Sequence, residues 1–157
     1  MTTQASITQH LANAMMVTGS MRSVISPGFL YFYDGPIPSS AEDAIDVTAH
    51  KCFKFTLAND GSTSLTFQST AANGVLRKTT AEDWKGACLH TTSALTFYRW
   101  CTGSDDGTGA SSGNDRVQGT IGTDATFGFI LSALNYTSGD LLDLTDFQII
   151  LPQEPAS

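Results

Sequence analysis

The sequence predicts an all-β protein, a single β-sandwich or jelly-roll-like domain preceded by a short helical segment. A chain of 157 residues is long enough for one well-buried core. Its second half consists of short runs rich in β-branched and aromatic residues, which glycine, asparagine, aspartate and serine separate. Such short strands with frequent turns are typical of sandwiches and jelly rolls. The predicted strands are WKGACLHT (84–91), ALTFYRWCT (94–102), RVQGTIGT (116–123), FGFILSAL (127–134) and TDFQIILP (145–152).

The N-terminal region has a helical pattern. Ser6 and Gln9 have the spacing of a capping box and predict a helix over 6–17. Ser20 can cap a second short turn that stops at Pro27. Because short helices depend on tertiary packing, this segment needs a partner surface, either on its own domain or on a neighbouring subunit. One apolar stripe runs along the first helix, formed by Ile7, Leu11, Ala14 and Met15. We divide the chain into a helical N-terminal arm (1–27), a β-sandwich domain (28–152) and a C-terminal tail (153–157).

The first half of the β domain contains two strong strand patterns. In residues 29–33, Phe29, Tyr31 and Tyr33 alternate with Leu30 and Phe32, so both faces are apolar. This pattern predicts either a central strand that is buried on both sides or an aromatic face that meets another chain. The run CFKFTLA (52–58) alternates apolar with polar residues and predicts a second strand.

Composition and charge exclude several classes of partner. The formal net charge is −7 with only eight scattered lysines and arginines, which argues against nucleic acid. No stretch approaches the length needed to cross a bilayer, and the start of the chain does not resemble a secretory peptide. We therefore expect no membrane partner and synthesis in a cytoplasm. The three cysteines, Cys52, Cys88 and Cys101, are predicted to be buried free thiols. A Cys88–Cys101 disulfide is disfavoured, because a hairpin of 84–91 with 94–102 would place Cys88 opposite Tyr98.

The strand 94–102 presents two alternating sets of side chains. Leu95, Phe97, Arg99 and Cys101 share one face, and Thr96, Tyr98 and Trp100 share the other. If the first set is inward, Arg99 needs a buried carboxylate or carbonyl partner, and Tyr98 and Trp100 are outward. If the second set is inward, Arg99 lies outside. We favour the first arrangement.

No convergent catalytic set is found in the sequence, and we predict no catalytic residue, metal ligand or cofactor. His10, His50 and His90 are far apart, so a zinc site would require their chance convergence, and hydrogen-bonded or solvated histidines are expected. The loop 103–115 contains three aspartates but lacks the pattern of an EF-hand, so a mobile surface loop is expected. The acidic residues Glu42, Asp43 and Asp46 are interpreted as a solvated face.

Several ordered motifs resemble a family of small structural proteins from tailed bacteriophage virions. They are LYFYDGPIPSSAEDA (30–44), LRKTTAEDWKGA (76–87), TFYRW (96–100), RVQGTIG (116–122) and DFQIILP (146–152). The resemblance extends from about Gly28 to Pro152 and lies in the order of these motifs. The chain departs from the pattern at Ser93–Ala94, where a glycine-rich turn is expected, and at Ala125–Phe127, where a small polar pair is expected.

The resemblance implies a non-enzymatic role at the virion surface, most simply as a capsid decoration protein. Its partners would be the major capsid protein and other copies of itself, as a trimer, on the outer surface of the capsid. The alternatives are a neck or tail component, or a carbohydrate-binding module that uses exposed Trp84, Tyr98 or Trp100. A small jelly-roll hydrolase is the least favoured class. The predicted interface residues are Ile7, Leu11, Met15, Phe29, Tyr31, Tyr33, Tyr98 and Trp100.

Overall fold

The protein is mostly β in the computed structural model, which describes residues 5–150. The described part of the chain contains two short helices, α1 (Gln9–Thr18) and α2 (Met21–Ile25). The strands are β1 (Ser6–Ile7), β2 (Phe29–Asp34), β3 (Lys51–Leu57), β4 (Val75–Arg77), β5 (Trp84–Ala87), β6 (Leu95–Cys101), β7 (Arg116–Gly122), β8 (Phe129–Ile130), β9 (Leu141–Leu144) and β10 (Gln148–Ile150). The predicted all-β class is therefore confirmed.

One large sheet organises the molecule. Its strand order is β1-β7-β6-β2-β3-β5-β9, and β8 also pairs with β7. All pairs are antiparallel except β7 with β8. β4 and β10 form a separate two-stranded sheet. The centre of the large sheet is β2, which is predicted by its doubly apolar pattern and pairs along its length with β3 and β6.

Both faces of the central strands are buried. Leu30 and Phe32 of β2 point into the larger apolar cluster, whereas Tyr31 and Tyr33 point into a smaller one. The smaller cluster lies beneath the loops 35–49 and 103–115, which bond to each other through Ile45 N–H to the Thr108 carbonyl (3.0 Å). The larger cluster contains most of the aromatic residues, including Phe32, Phe53, Phe55, Phe67, Trp84, Tyr98, Trp100 and Phe147.

The N-terminal segment packs on its own domain. β1 pairs with β7, and Leu11, Met21 and Ile25 are buried in the larger cluster. The helix starts later than the sequence predicts, because the Thr8 hydroxyl, and not Ser6, accepts the N–H of Leu11 and caps α1. The prediction for Ser20 is confirmed, since its hydroxyl accepts the N–H of Ser23 at the start of α2.

The structure corrects part of the predicted strand pairing. The segments 84–91 and 94–102 do not form a hairpin, because β5 pairs with β3 and β9 instead of β6. β9 was not predicted, and in its short LLDL sequence Leu141 and Asp143 are exposed while Leu144 is buried. The predicted tail 153–157 and the end of the predicted strand 145–152 lie outside the described residues. Within residues 5–150, no helix combines the length and apolar character needed to span a membrane.

Candidate functional site

The aromatic residues predicted to face outward are buried. Tyr98 is 1% exposed and Trp100 is fully buried, so their predicted roles as surface contacts are wrong. The Trp100 indole N–H donates to the Ile25 carbonyl at 2.8 Å, and its ring packs against Phe67 with centroids 4.4 Å apart. Trp84 is also fully buried. Because none of the three can stack on a sugar, the carbohydrate-binding alternative loses its predicted platform.

Most of the other predicted interface residues also stabilise the fold instead of facing a partner. Leu11 and Tyr33 are fully buried, and Tyr31 is 4% exposed, which contradicts their predicted surface roles. The alternation of 29–33 therefore reflects a central strand, which was one of the two interpretations of the sequence. Ile7 and Phe29 are partly buried against the apolar clusters, and the Lys54 ammonium lies 4.6 Å from the centre of the Phe29 ring.

Met15 is the predicted interface residue that borders an apolar surface. It lines a groove of about 260 Å³ together with Met21, Arg22 and Leu76. The two residues that follow it on α1, Met16 and Val17, are 87% and 88% exposed. We use the name α1 patch for the exposed pair Met16 and Val17 together with the groove residues Met15, Met21 and Leu76, of which Met21 and Leu76 are each 6% exposed. Met16 and Val17 were not predicted as interface residues, because the predicted apolar stripe of α1 faces the core.

All residues of the α1 patch except Leu76 lie in the part of the sequence that has almost no charge. All 15 acidic residues occur at position 34 or later, and Arg22 is the only charged side chain before it. Arg22 is itself engaged, because its Nε–H donates to the Phe67 carbonyl at 3.2 Å. Two acidic side chains from later segments reach the start of α1, where Glu42 accepts the Gln9 N–H at 2.7 Å and Asp115 bonds to His10 at 2.8 Å. Among the described residues, the lining of the groove itself contains no acidic residue.

The face opposite the larger cluster contains a buried polar network centred on Arg99. Its guanidinium is fully buried and donates to the carbonyls of Gly107 (2.6 Å) and Asp43 (2.7 Å), and to the Gln118 side chain (2.9 Å). Burial lowers the pKa of Arg99, and the nearby Arg116 lowers it further. The predicted inward Arg99 with carbonyl partners is confirmed. These bonds satisfy carbonyls of the covering loops that burial would otherwise leave unpaired.

Arg116 holds the second loop through an ion pair. Its guanidinium makes two bonds to the Asp105 carboxylate, at 2.5 and 2.7 Å, and also donates to the Gly109 carbonyl at 2.8 Å. Burial alone would raise the pKa of Asp105, but the hydrogen bonds from Arg116 and from the Gly107 N–H hold it below its ordinary value. The loop 103–115 lies at the surface, as predicted, but Asp105, Gly107 and Gly109 within it are bonded to two buried arginines.

One cluster contains side chains that can bind a metal. His50 and His90 are 40 positions apart in sequence, yet their rings stack with centroids 3.7 Å apart and planes 6° apart. Asp34 lies beside them, with its Oδ1 3.1 Å from His50 Nδ1. One ligand atom from each of the three residues lies within 4.8 Å of the other two. The expectation that the histidines stay apart is wrong for this pair, whereas His10 lies elsewhere and bonds to Asp115 at 2.8 Å.

Two buried thiols lie immediately behind the two histidines. The Cys52 thiol donates to the His50 carbonyl at 3.5 Å, and the Cys88 thiol donates to the His90 carbonyl at 3.1 Å. All three cysteines are free and buried, as predicted. Burial raises the pKa of Cys52 to about 12 and also raises the pKa of Cys88 and Cys101. Burial therefore disfavours the thiolate, which is the reactive form of a cysteine.

Comparison with known proteins adds no relative, because no protein-family model, curated protein or solved structure matches the chain.

Proposed function

We propose that this protein is a non-enzymatic structural component of a tailed-phage virion, a decoration protein on the outer face of the capsid. The observation that carries the proposal is the α1 patch. It presents an apolar, almost uncharged surface on a domain whose other large side chains are mostly used to build the core. The order of motifs that resembles virion structural proteins supports the same role.

The proposed occupant of the α1 patch is the major capsid protein. Burial of a Met or Val side chain stabilises a contact by roughly 1.5–3 kcal/mol, so Met16 and Val17 provide only a modest energy for each copy. Repetition across a lattice increases retention, because binding of linked copies can exceed the affinity of one contact by about 10²–10⁴-fold. We therefore propose that copies associate as trimers and bridge neighbouring capsomers.

The anchored loops support this mechanical role. Arg99 and Arg116 bond to carbonyls of the loops that cover one face of the sheet, which gives a scaffold with few freely moving parts.

We also propose that β4 and β10 provide the second layer of the predicted sandwich. The ring of Phe147, next to β10, packs 5.2 Å from that of Tyr98 in the main sheet. If the protein binds the mature lattice and not its other states, binding would stabilise the mature lattice by mass action.

The test measures co-sedimentation of the purified protein with undecorated capsids of the virus that encodes it. A variant with Met16→Glu and Val17→Glu should lose most of its binding, because two charges would enter an apolar contact. The matched control is Val47→Glu, since Val47 is 98% exposed in the loop 35–49 and does not line the groove. Equal binding by the two variants and the wild type would overturn the assignment of the patch.

The copy number in purified particles distinguishes the capsid from other virion positions. Decoration predicts a copy number that matches the repeat of the capsid lattice. A handful of copies per particle would contradict it and would favour the neck or tail. The oligomeric state in solution, measured by light scattering, tests the proposed trimer separately.

A further inference from the structure

Two mirrored sequence patterns meet on one side of the sheet. The first is His50-Lys51-Cys52 at the start of β3, and the second is Cys88-Leu89-His90 after β5. The Leu89 N–H donates to the Cys52 carbonyl at 2.7 Å, so the two segments lie side by side. In each segment the thiol points inward and the imidazole is exposed. The backbone pairing therefore places both imidazoles at the same point of the surface.

Asp34 completes the cluster from a third segment, the end of β2. Its Oδ1 accepts the backbone N–H of His50 at 2.7 Å, and its own N–H donates to the His50 carbonyl at 3.2 Å. These bonds fix the carboxylate beside the His50 ring. The neighbouring Lys51 ammonium does not compete for this carboxylate, because it lies 3.3 Å from Asp106 and 4.7 Å from the centre of the Tyr31 ring.

The His90 ring stacks on His50, and its nitrogens have no hydrogen-bond partner among residues 5–150. Its nitrogen lone pair is therefore available to a ligand. We propose that Asp34, His50 and His90 bind a divalent transition-metal ion, with Zn²⁺ as the expected ion. Two imidazole nitrogens and one carboxylate oxygen are a ligand set that zinc accepts, and a fourth position remains open to water or to a neighbouring molecule.

Binding requires the stacked rings to turn towards each other, because the lone pairs of two nearly parallel rings lie in separate planes and cannot both point at one ion. Bonds of about 2.0–2.1 Å in a tetrahedral zinc site place ligand atoms roughly 3.3 Å apart. The candidate atoms already lie within 4.8 Å of one another. Both imidazoles are exposed, so rotation of their side chains can bring the nitrogens together without disturbing the core. The bound ion would clamp the end of β2, the start of β3 and the segment 88–90. This inference does not depend on the proposed role in the virion.

The test titrates untagged protein with ZnCl₂ in competition with a chromophoric chelator. The wild type should bind one ion per chain, and the thermal unfolding midpoint should rise in its presence. His90→Ala should weaken binding by at least about tenfold, which is the loss seen even for outer-shell partners of metal sites. His50→Ala and Asp34→Asn should show similar losses.

The matched control is His10→Ala. His10 also pairs with an aspartate, Asp115, at 2.8 Å, but within residues 5–150 it is not part of a three-ligand cluster. Its replacement should leave zinc affinity unchanged. Co²⁺ provides a second measurement, because its visible absorption reports coordination by nitrogen and oxygen ligands and should be absent in His90→Ala. Absence of zinc binding by the wild type, or equal affinity of the wild type and His90→Ala, would overturn the proposal.

Discussion

Asp105→Asn tests whether the buried ion pair with Arg116 anchors the loop 103–115. The side chains of Asp105 and Arg116 are 7% and 2% exposed, so the remaining guanidinium could not be solvated without opening the loop. Breaking a buried pair by removing one partner typically costs about 3–5 kcal/mol. The amide keeps the size of the carboxylate, so we expect the lower end, roughly 3 kcal/mol. For a domain of this size, this corresponds to a fall of about 6–12 °C in the unfolding midpoint.

The adjacent residue provides the matched control. Asp106 is 56% exposed at its side chain and pairs with Lys51 at 3.3 Å, so Asp106→Asn should cost about 1 kcal/mol or less. Chemical denaturation at pH 7 measures both changes. Equal destabilisation by the two variants, or an Asp105→Asn protein as stable as the wild type, would refute the assignment of the ion pair as the anchor.

The same variant should also change the pH dependence of stability. In the folded protein the pKa of Asp105 lies below its ordinary value of 3.8. The ionised carboxylate therefore contributes its full share to the free energy of unfolding above that pH. The contribution is lost as the pH falls through the lower, folded pKa. The wild type should therefore lose stability more steeply than Asp105→Asn below about pH 4. Parallel acid-unfolding curves for the two proteins would contradict this sign.

Three further predictions concern the core. Gly119→Ala would place a methyl group 2.5 Å from the Tyr98 ring, and this overpacking should destabilise the protein by about 1–3 kcal/mol in urea denaturation. Trp100→Phe removes the donor to the Ile25 carbonyl, and the unpaired carbonyl should cost about 1–3 kcal/mol by the same measurement. A thiol reagent should react only slowly with the native protein, and it should react with all three thiols once the protein is denatured. Rapid reaction with the native protein would contradict the burial of the thiols. These thiols are Cys52, Cys88 and Cys101.

The central strands could be predicted from the sequence because their patterns are local. The doubly apolar run 29–33 and the alternating run 52–58 correspond to β2 and β3, whose positions follow from side-chain periodicity. The need of Arg99 for carbonyl partners also followed from the cost of burying a charge. The burial of Tyr98 and Trp100 did not follow, because we expected only one face of the strand to be buried. Both rings point into the larger cluster, while the loops 35–49 and 103–115 bury Arg99 on the opposite face, and alternation alone cannot show that both faces are covered.

The histidine cluster was not predicted because it depends on non-local pairing. His50 and His90 meet only because the segment after β5 bonds back to the start of β3. The predicted hairpin of 84–91 with 94–102 would have placed His90 elsewhere. The mirrored arrangement of His50-x-Cys52 and Cys88-x-His90 was the available signal, since an inward thiol two positions from an outward imidazole is what two strand-like segments require.

The structure also changes how a role for the N-terminal segment can be tested. Deletion of residues 1–26 would remove Leu11, Met21 and Ile25 from the core and would leave the Trp100 indole N–H without its acceptor. Loss of capsid binding by that truncation would therefore report unfolding as readily as loss of a contact. Met16 and Val17 have no such role, because both are almost fully exposed at the end of α1. Replacing them separates binding from folding: the variant should keep the wild-type unfolding midpoint while it loses the capsid.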